Sequence, residues 1–346
     1  MRHADAVTVL PGDFDETTRT RRQRRPGEKP FGVVLVALAT LYAAFALWRL
    51  VASGLYDLDG NGLTVAALAL TPYLAATGVV LSLFVALFRR WGSAVVVFAL
   101  SAALGLTLVP RYFADGQPGT GGPVLRVMAV NLYYGEADAA AVVSLVRQRA
   151  VDVLAVTELT PAAAKRLEQA GLGEVLPHQH FQPAAAAAGS GVASRYPLVA
   201  IDLAGPSSFR QPSAAVHVED QVVEVVAVHA MPPVDDSRAW AADLRSLPRA
   251  NKEGAVRVLA GDFNATLDHA EFRRLLTRGY VDAADQLGLG MMATWPRERS
   301  LPPVTIDHVL IDSRAAVRNF QVVDLPGSDH RAILATVRLP GSAWSG

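Results

Sequence analysis

The chain has 346 residues, 51% of them apolar, with 32 Lys and Arg balanced by 32 Asp and Glu and no cysteine. Absence of thiols excludes disulfides and thiolate-held metals. The length allows about two domains.

A basic leader, "RTRRQRRPGEK" (19–29), precedes three apolar segments at 31–53, 65–88 and 93–109 whose one charge is Arg49. Each approaches the roughly 20 apolar residues that a spanning helix needs, so the sequence predicts a three-helix anchor. Arg49 lies near one end of its segment, where a long side chain can snorkel to the interface. Arg89 and Arg90 fill the second short loop, whereas the first, "GLYDLDGNGLT" (54–64), holds two Asp and no Lys or Arg. Cations gather on the cytoplasmic side, so everything after about residue 110 is expected outside the cell membrane. The division is then a disordered cytoplasmic leader (1–30), a membrane anchor (31–110), a Gly- and Pro-rich linker (111–123) and an extracytoplasmic domain (124–340). From residue 111 onward, 22 Lys and Arg face 25 Asp and Glu. A domain that grips a nucleic-acid backbone carries a basic excess, so no nucleic-acid partner is expected.

Beyond the linker, apolar strand runs alternate with helical periodicity. "VLRVMAVNL" (124–132), "VDVLAVTEL" (151–159), "QVVEVVAVHAM" (221–231), "GAVRVLAGDF" (254–263) and "TIDHVLID" (305–312) read as strands, with helices between them. About ten strands suit two packed sheets flanked by helices. His178 and His180, in "PHQHF", read as a solvated loop despite their ligand-like spacing.

Several of these strands end on, or lead directly to, a polar residue: Asn131, Glu158, His229, Asp262 with Asn264, Asp307, and Asp329 with His330. Buried strands do not usually end on ionisable groups without partners; several doing so at one rim would form a site. Carboxylates and amides without Cys select a hard cation, Mg²⁺ or Mn²⁺. Glu158 is the first choice as direct ligand, with Asn131 beside it. Asp262 and Asn264, two apart, share a face on an extended strand end, one to align an attacking water and the other to hold a phosphoryl oxygen. His330 offers a cation or proton, Asp307 would orient its imidazole, and His229 is a second imidazole for the leaving oxygen. His308, next to Asp307, should face the opposite side of its strand.

"AVNL", "TEL" after a strand, "GDFNAT" and "GSDHRA", in this order, resemble the endonuclease/exonuclease/phosphatase superfamily over about residues 124–339. The resemblance implies an α/β fold, a four-layer αββα sandwich, here preceded by three transmembrane helices, and metal-dependent phosphoester hydrolysis. It gives Asn131, Glu158 and Asp329 to the metal side, His229 to phosphate contact or acid work, and Asp262 and Asn264 to water activation and phosphate binding. Asp307 then orients His330, which contacts the phosphate. Two departures stand out: Thr157 where many members have Gln before the metal Glu, and "VHAMPP" around His229 in place of the commoner "THL" context. Anchor plus external domain resembles the actinomycete teicoplanin-resistance (VanJ-like) membrane proteins, which implies a phosphorylated envelope lipid as substrate and the bilayer as partner. An external nuclease or phospholipase C-like phosphodiesterase, or a non-catalytic domain that binds a cell-wall intermediate, are the alternatives.

Overall fold

The computed structural model describes residues 30–56, 58–298 and 302–341. The basic leader lies outside them. Helix α1 (Pro30–Trp48) runs on through a π-helical turn at Arg49–Ser53. Helices α2 (Gly62–Ala69) and α3 (Thr71–Leu87) follow, then α4 (Trp91–Leu108) with a 3₁₀ turn at Val109–Tyr112. Two stretches, Gly32–Ser53 and Trp91–Tyr112, are long and apolar enough to cross a membrane.

The second of the three expected spans is not one helix. It is bent by 75° between α2 and α3, directly before Pro72, which cannot supply an N–H to a continuous helix. Asn61 caps α2 through Leu63 N and Thr64 N, while Thr64 returns a bond to Asn61 N. Instead of extending α3, α2 packs against the soluble domain, where Val65 joins Trp240, Leu244 and Phe263 in one apolar core. Helix α3 alone has 17 residues, about 26 Å of helix.

Helices α1, α3 and α4 pack on small residues, among them Ala39, Ala46, Ala75 and Ala94. Gly78 belongs to this seam, since a Cβ there would lie 2.0 Å from the Tyr42 hydroxyl. The outward faces, including Leu41, Leu83, Val95 and Leu106, stay apolar and exposed. Arg49 departs from expectation: it is buried and bonded to Asp268 at 2.9 Å rather than reaching outward. Arg111, at the far end of α4, makes a two-pronged pair with the same carboxylate at 2.9 and 2.8 Å. The C-terminal ends of α1 and α4 and the start of α3, where Thr71 contacts Arg49, therefore meet at one carboxylate of the soluble domain.

That domain comprises β1 (Val124–Asn131), α5 (Ala139–Gln148), β2 (Val153–Thr157), α6 (Pro161–Gln169), α7 (Leu172–Val175), β3 (His178–Gln182), β4 (Ser190–Ser194) and β5 (Leu198–Ile201) in its first half. Its second half holds β6 (Ser213–Val218), β7 (Gln221–His229), α8 (Ser237–Ser246), β8 (Val256–Asp262), α9 (Ala270–Leu276), β9 (Tyr280–Asp282), β10 (Asp307–Asp312), β11 (Ala316–Asp324) and β12 (Arg331–Arg338). Two six-stranded sheets result, ordered β11-β12-β1-β2-β4-β3 and β5-β6-β7-β8-β10-β9. His178 and His180 thus lie on an edge strand, not in a loop.

Period-two alternation builds the layers. Val127, Ala129, Val153 and Ala155 of one sheet meet Val225, Ala227, Val258 and Ala260 of the other. The opposite parity, Met128, Val130, Leu154 and Val156, packs under α5 and α6, and Val226, Val228 and Leu259 lie under α8 and α9. The expected linker is docked rather than loose: Asp115 N donates to Gln286 O at 3.0 Å and Gln117 Oε1 accepts from Val317 N at 2.9 Å.

Candidate active site

Parity and direction bring the polar residues together. Residues 127, 129 and 131 share one face of β1, and 225, 227 and 229 share one face of β7; both faces look between the sheets. Asp262 ends β8 on the same parity, and Asp307 opens the antiparallel β10 opposite it, in register Asp307↔Asp262. His229 is likewise level with Asp262 across the parallel β7–β8 pair. The side chains continuing the inter-sheet core thus become Asn131, His229, Asp262 and Asp307 at one rim. His308, on the other parity, turns outward to Asp282 at 2.6 Å and stacks near Phe272.

The backbone is bent to serve this rim. Glu158 and Asn264 have φ of 55° and 47°, a region that non-glycine residues enter at a cost and that concentrates at functional sites. Gly261, before Asp262, has φ 145°, and a Cβ there would lie 2.1 Å from Val228 O. Only glycine fits that approach of β8 to β7.

Two linked clusters form. In the first, Asn131 Nδ2 donates to Glu158 Oε1 at 3.0 Å and Asp262 Oδ2 at 3.1 Å, while its oxygen accepts from Tyr133 N at 2.8 Å. Tyr134 N donates to Glu158 Oε2 at 2.5 Å. In the second, His330 Nδ1 pairs with Asp307 Oδ2 at 2.9 Å, and its Nε2 lies 3.7 Å from Asp262 Oδ2 and 3.9 Å from Asp329 Oδ1. Asn264 N closes onto Asp262 Oδ1 at 2.8 Å, and its side chain donates to Ala230 O. All eight sequence-predicted residues fall within this network or line the cleft above it.

The two imidazoles differ sharply. Burial works against charge on His330, yet Asp307 and Asp262 outweigh it and push its pKa up to about 10. His229 is driven down to about 3 by burial and by the neighbouring His330. It is neutral, gives its Nδ1 hydrogen to Ala187 O at 3.1 Å, and stacks on Phe209 at 4.5 Å. Its Nε2 therefore presents a lone pair, so His330 is the cationic imidazole of the two, and His229, expected as a second imidazole for the leaving oxygen, is held neutral. Burial and Asp307 raise Asp262 to about 7. A carboxyl protonated below that value cannot take a proton from water, and an imidazole neutral above about 10 cannot oppose anionic charge. Turnover should accordingly rise as pH climbs toward 7 and fall as it nears 10, the limbs belonging to the coupled group rather than to one residue. A divalent cation beside the carboxylates moves the acid limb down. A flat profile between pH 5 and 10 would contradict this assignment.

Residues 128–330 match the sequence profile described as the Endonuclease/Exonuclease/phosphatase family. The chain belongs to that family. One solved structure agrees at the level of fold, and two others are similar over a comparable span. A humanised D. rerio TDP2 carrying 14 mutations is 18% identical with a TM-score of 0.52, over 62% of this chain and 99% of that one. An endonuclease/exonuclease/phosphatase from Beutenbergia cavernae is 20% identical with a TM-score of 0.48, over 63% and 72% of the two chains. A Leptotrichia buccalis family protein is 15% identical with a TM-score of 0.48, over 62% and 100%. No curated protein matches the sequence.

Members of this family are generally metal-dependent phosphoesterases and nucleases, and the residues present fit a divalent cation. Asp329 Oδ1 is buried without a hydrogen-bond partner among the described residues, although Trp295 Nε1 holds the other oxygen at 2.9 Å. Glu158 lines the same cleft. These hard oxygens are the natural ligands. Asn131 Nδ2 ties Glu158 to Asp262 while its oxygen accepts from Tyr133 N, so the residue shapes the site. Asp262, Asp307 and His330 place one ligand atom each within 4.8 Å of one another, but an imidazolium committed to Asp307 repels a cation, and ligating His must be neutral. His330 lies between the two carboxylates, with Nδ1 already on Asp307 at 2.9 Å and Nε2 3.7 Å from Asp262.

Sequence reasoning missed the supports. Ser328 Oγ donates to Asn131 O at 2.8 Å and accepts from His330 N at 3.0 Å, clipping β1 to the loop before β12. Thr294 Oγ1 receives Ile306 N and Asp307 N. Asp243 on α8 accepts from Ser208 N and Met231 N, which fixes the loop that carries Phe209 against His229. Ser328 stood visibly beside Asp329 in "GSDHRA"; Thr294 and Asp243 carried no local signal. Thr157 Oγ1 is buried and has no hydrogen-bond partner among the described residues, so none of them receives from it the helper contact expected of Gln at this position.

Proposed function

We propose that this protein is a membrane-anchored, Mg²⁺- or Mn²⁺-dependent phosphoesterase that hydrolyses an envelope lipid-linked phosphate or pyrophosphate, of polyprenyl type, outside the cell membrane. One observation carries the reading. A cleft of about 480 Å³ is lined on one side by Glu158, Asp262, Asn264, Asp329 and His330, and on another by Ala66, Ala69 and Leu70, where α2 bends into the apolar bundle. A phosphoester at the polar wall would have its apolar portion beside that bend. Anchoring also raises the local concentration of a membrane-bound substrate. It gives no such gain for soluble DNA.

The bundle supports the sidedness. All three long helices have one end at Asp268, whereas Arg89 and Arg90 lie at the α3–α4 turn on the opposite end. Cations on that end favour the cytoplasm there, with the catalytic domain on the other side. A role in glycopeptide resistance follows the resemblance of the architecture to teicoplanin-resistance membrane proteins.

In the reaction, Asp262 accepts a proton from the attacking water, whose oxygen forms the new bond to phosphorus as the bond to the leaving oxygen breaks. Asn131 and Asn264 N–H hold Asp262 in place. The His330 imidazolium, oriented by Asp307, faces the negative charge that builds on the phosphoryl group. His229, neutral and stacked on Phe209, offers its Nε2 lone pair to the cleft as an acceptor beside the reacting group. Glu158 and Asp329 would hold a divalent cation, which when bound would supply positive charge against the phosphoryl oxygens.

The net negative charge of the soluble part disfavours a nuclease. The deciding assay measures product release by detergent-solubilised protein on a short-chain polyprenyl pyrophosphate, a phosphodiester and plasmid DNA, with and without Mg²⁺. Turnover confined to the lipid and abolished by chelator is the expected result. Cleavage of DNA or the diester alone would replace this reading with that of an external nuclease or phospholipase C-like enzyme. Inertness on all three would leave a binding protein for a cell-wall intermediate.

A further inference from the structure

A second cavity, of about 820 Å³, lies on the other side of Phe209 from the catalytic cleft. Phe209 lines both, and Ala187 and Ala188 fall on either side of the same partition. The characters of the two spaces differ. Where the catalytic cleft has an α2 wall of Ala and Leu, this cavity is edged by His180, Gln182, Asp202, Ser207, Arg210 and Gln211.

Gln211 is the informative member. Only 8% of it is exposed, yet neither Oε1 nor Nε2 has a hydrogen-bond partner among the described residues. Buried side-chain amides are nearly always paired, because an unmet donor and acceptor both lose water. Here an amide bordering the cavity leaves a donor and an acceptor unmet, and a ligand reaches them by drawing the side chain outward. Arg210 adds an exposed guanidinium that makes no ion pair among the described residues, and Asp202 adds a carboxylate. Planar amide, carboxylate and guanidinium groups on one wall suit a ring bearing several hydroxyls, each of which both donates and accepts. They do not suit an alkyl chain.

The partition is pinned at one edge. Asp243 holds Ser208 N at 2.8 Å and Met231 N at 2.9 Å, so the loop with Phe209 and the chain just after His229 are tied to one carboxylate. His229 stacks on Phe209 at 4.5 Å, so a head group in this cavity would lie next to the reacting phosphorus.

We propose that this cavity is the subsite for a glycosyl head group, so that the substrate is a lipid whose pyrophosphate carries a sugar rather than a bare lipid pyrophosphate. The proposal rests on the phosphoesterase reading above and specifies its substrate. Water oxygen then bonds to the lipid-side phosphorus, and the bond from that phosphorus to the bridging oxygen breaks. Lipid phosphate and glycosyl phosphate are released, each keeping one of the two water protons.

The test compares two lipids of equal chain length on the detergent-solubilised full chain with Mg²⁺: polyprenyl pyrophosphate, and the same lipid with one N-acetylhexosamine on its terminal phosphate. The wild-type kcat/KM ratio, glycosylated over bare, should be at least about tenfold, as a met donor–acceptor pair discriminates. It should drop at least fivefold (~) in Gln211→Leu and in Arg210→Ala, the latter an exposed change that leaves the fold alone. A wild-type ratio of one or less, or the same ratio in variants that melt like wild type, overturns the head-group subsite while leaving the lipid phosphoesterase intact. Turnover of neither lipid, with cleavage of a soluble diester or DNA, removes both readings.

Discussion

Asp262→Ala abolishes metal-dependent turnover, by about 10²–10⁴-fold as expected for loss of a positioned proton acceptor, without lowering the melting temperature. The second half distinguishes a catalytic residue from a structural one. Asp262 is buried, and burial with Asp307 raises its pKa to about 7, so its charged form is held against a penalty. A carboxyl whose folded pKa is raised favours the folded state only while it is protonated; that contribution fades as pH rises from about 4 through 7. Asp262→Asn keeps a partner for Asn131 Nδ2 and removes the penalty. Its melting temperature relative to wild type should therefore improve as pH rises from 4 to 8, while its turnover stays as low as that of the Ala variant. Retained activity in the Asn variant would remove Asp262 from the chemistry.

Asp268→Ala should destabilise the detergent-solubilised protein by about 3–5 kcal/mol, the range for removing one partner of a buried ion pair. Asp268 is 1% exposed and receives both Arg49 and Arg111. The two guanidinium groups hold its carboxyl below the usual carboxylate range despite burial. Without it, two cations remain buried and unpaired. The damage reaches further than stability. Asp268 precedes α9, whose first N–H groups, Ala270 and Glu271, are capped by Asp59 from the loop between α1 and α2 at 2.6 and 2.9 Å. His269 also contacts Val65 O at 2.8 Å. Loss of the cluster loosens α2, which forms a wall of the catalytic cleft, so proteolysis between residues 54 and 62 should accelerate. Replacing all three charged residues by Leu should recover much of the stability, since well-packed apolar groups often match a buried ion cluster. An unchanged melting curve for Asp268→Ala would mean that the bundle and the domain are only loosely joined.

Much of the catalytic rim was legible because each component is local. A strand run that ends on Asn131, on Thr157 before Glu158, or on Asp262 states its own burial pattern, and alternation then fixes the face. His308 could be separated from Asp307 by parity alone. The proton's location could not be read in the same way. His229 and His330 are both strand-adjacent imidazoles; what separates them is that Asp307 pairs with one while a carbonyl and Phe209 enclose the other.

The reading of the apolar segments failed in a corresponding manner. Hydropathy registers apolar length, so residues 65–88 read as one span and Arg49 as an interfacial side chain. Neither the bend before Pro72 nor the ion cluster is visible to it, because the partner of Arg49 is 219 residues away. The sequence by itself determined the apolar helices, the two-sheet domain and the residue types of the polar rim, since these follow from short-range periodicity and chemistry. Only the tertiary structure decided that α2 belongs to the cleft, that His330 holds the proton and that a polar cavity lies behind Phe209. Each of those depends on which distant groups become neighbours once the chain is packed and water is excluded.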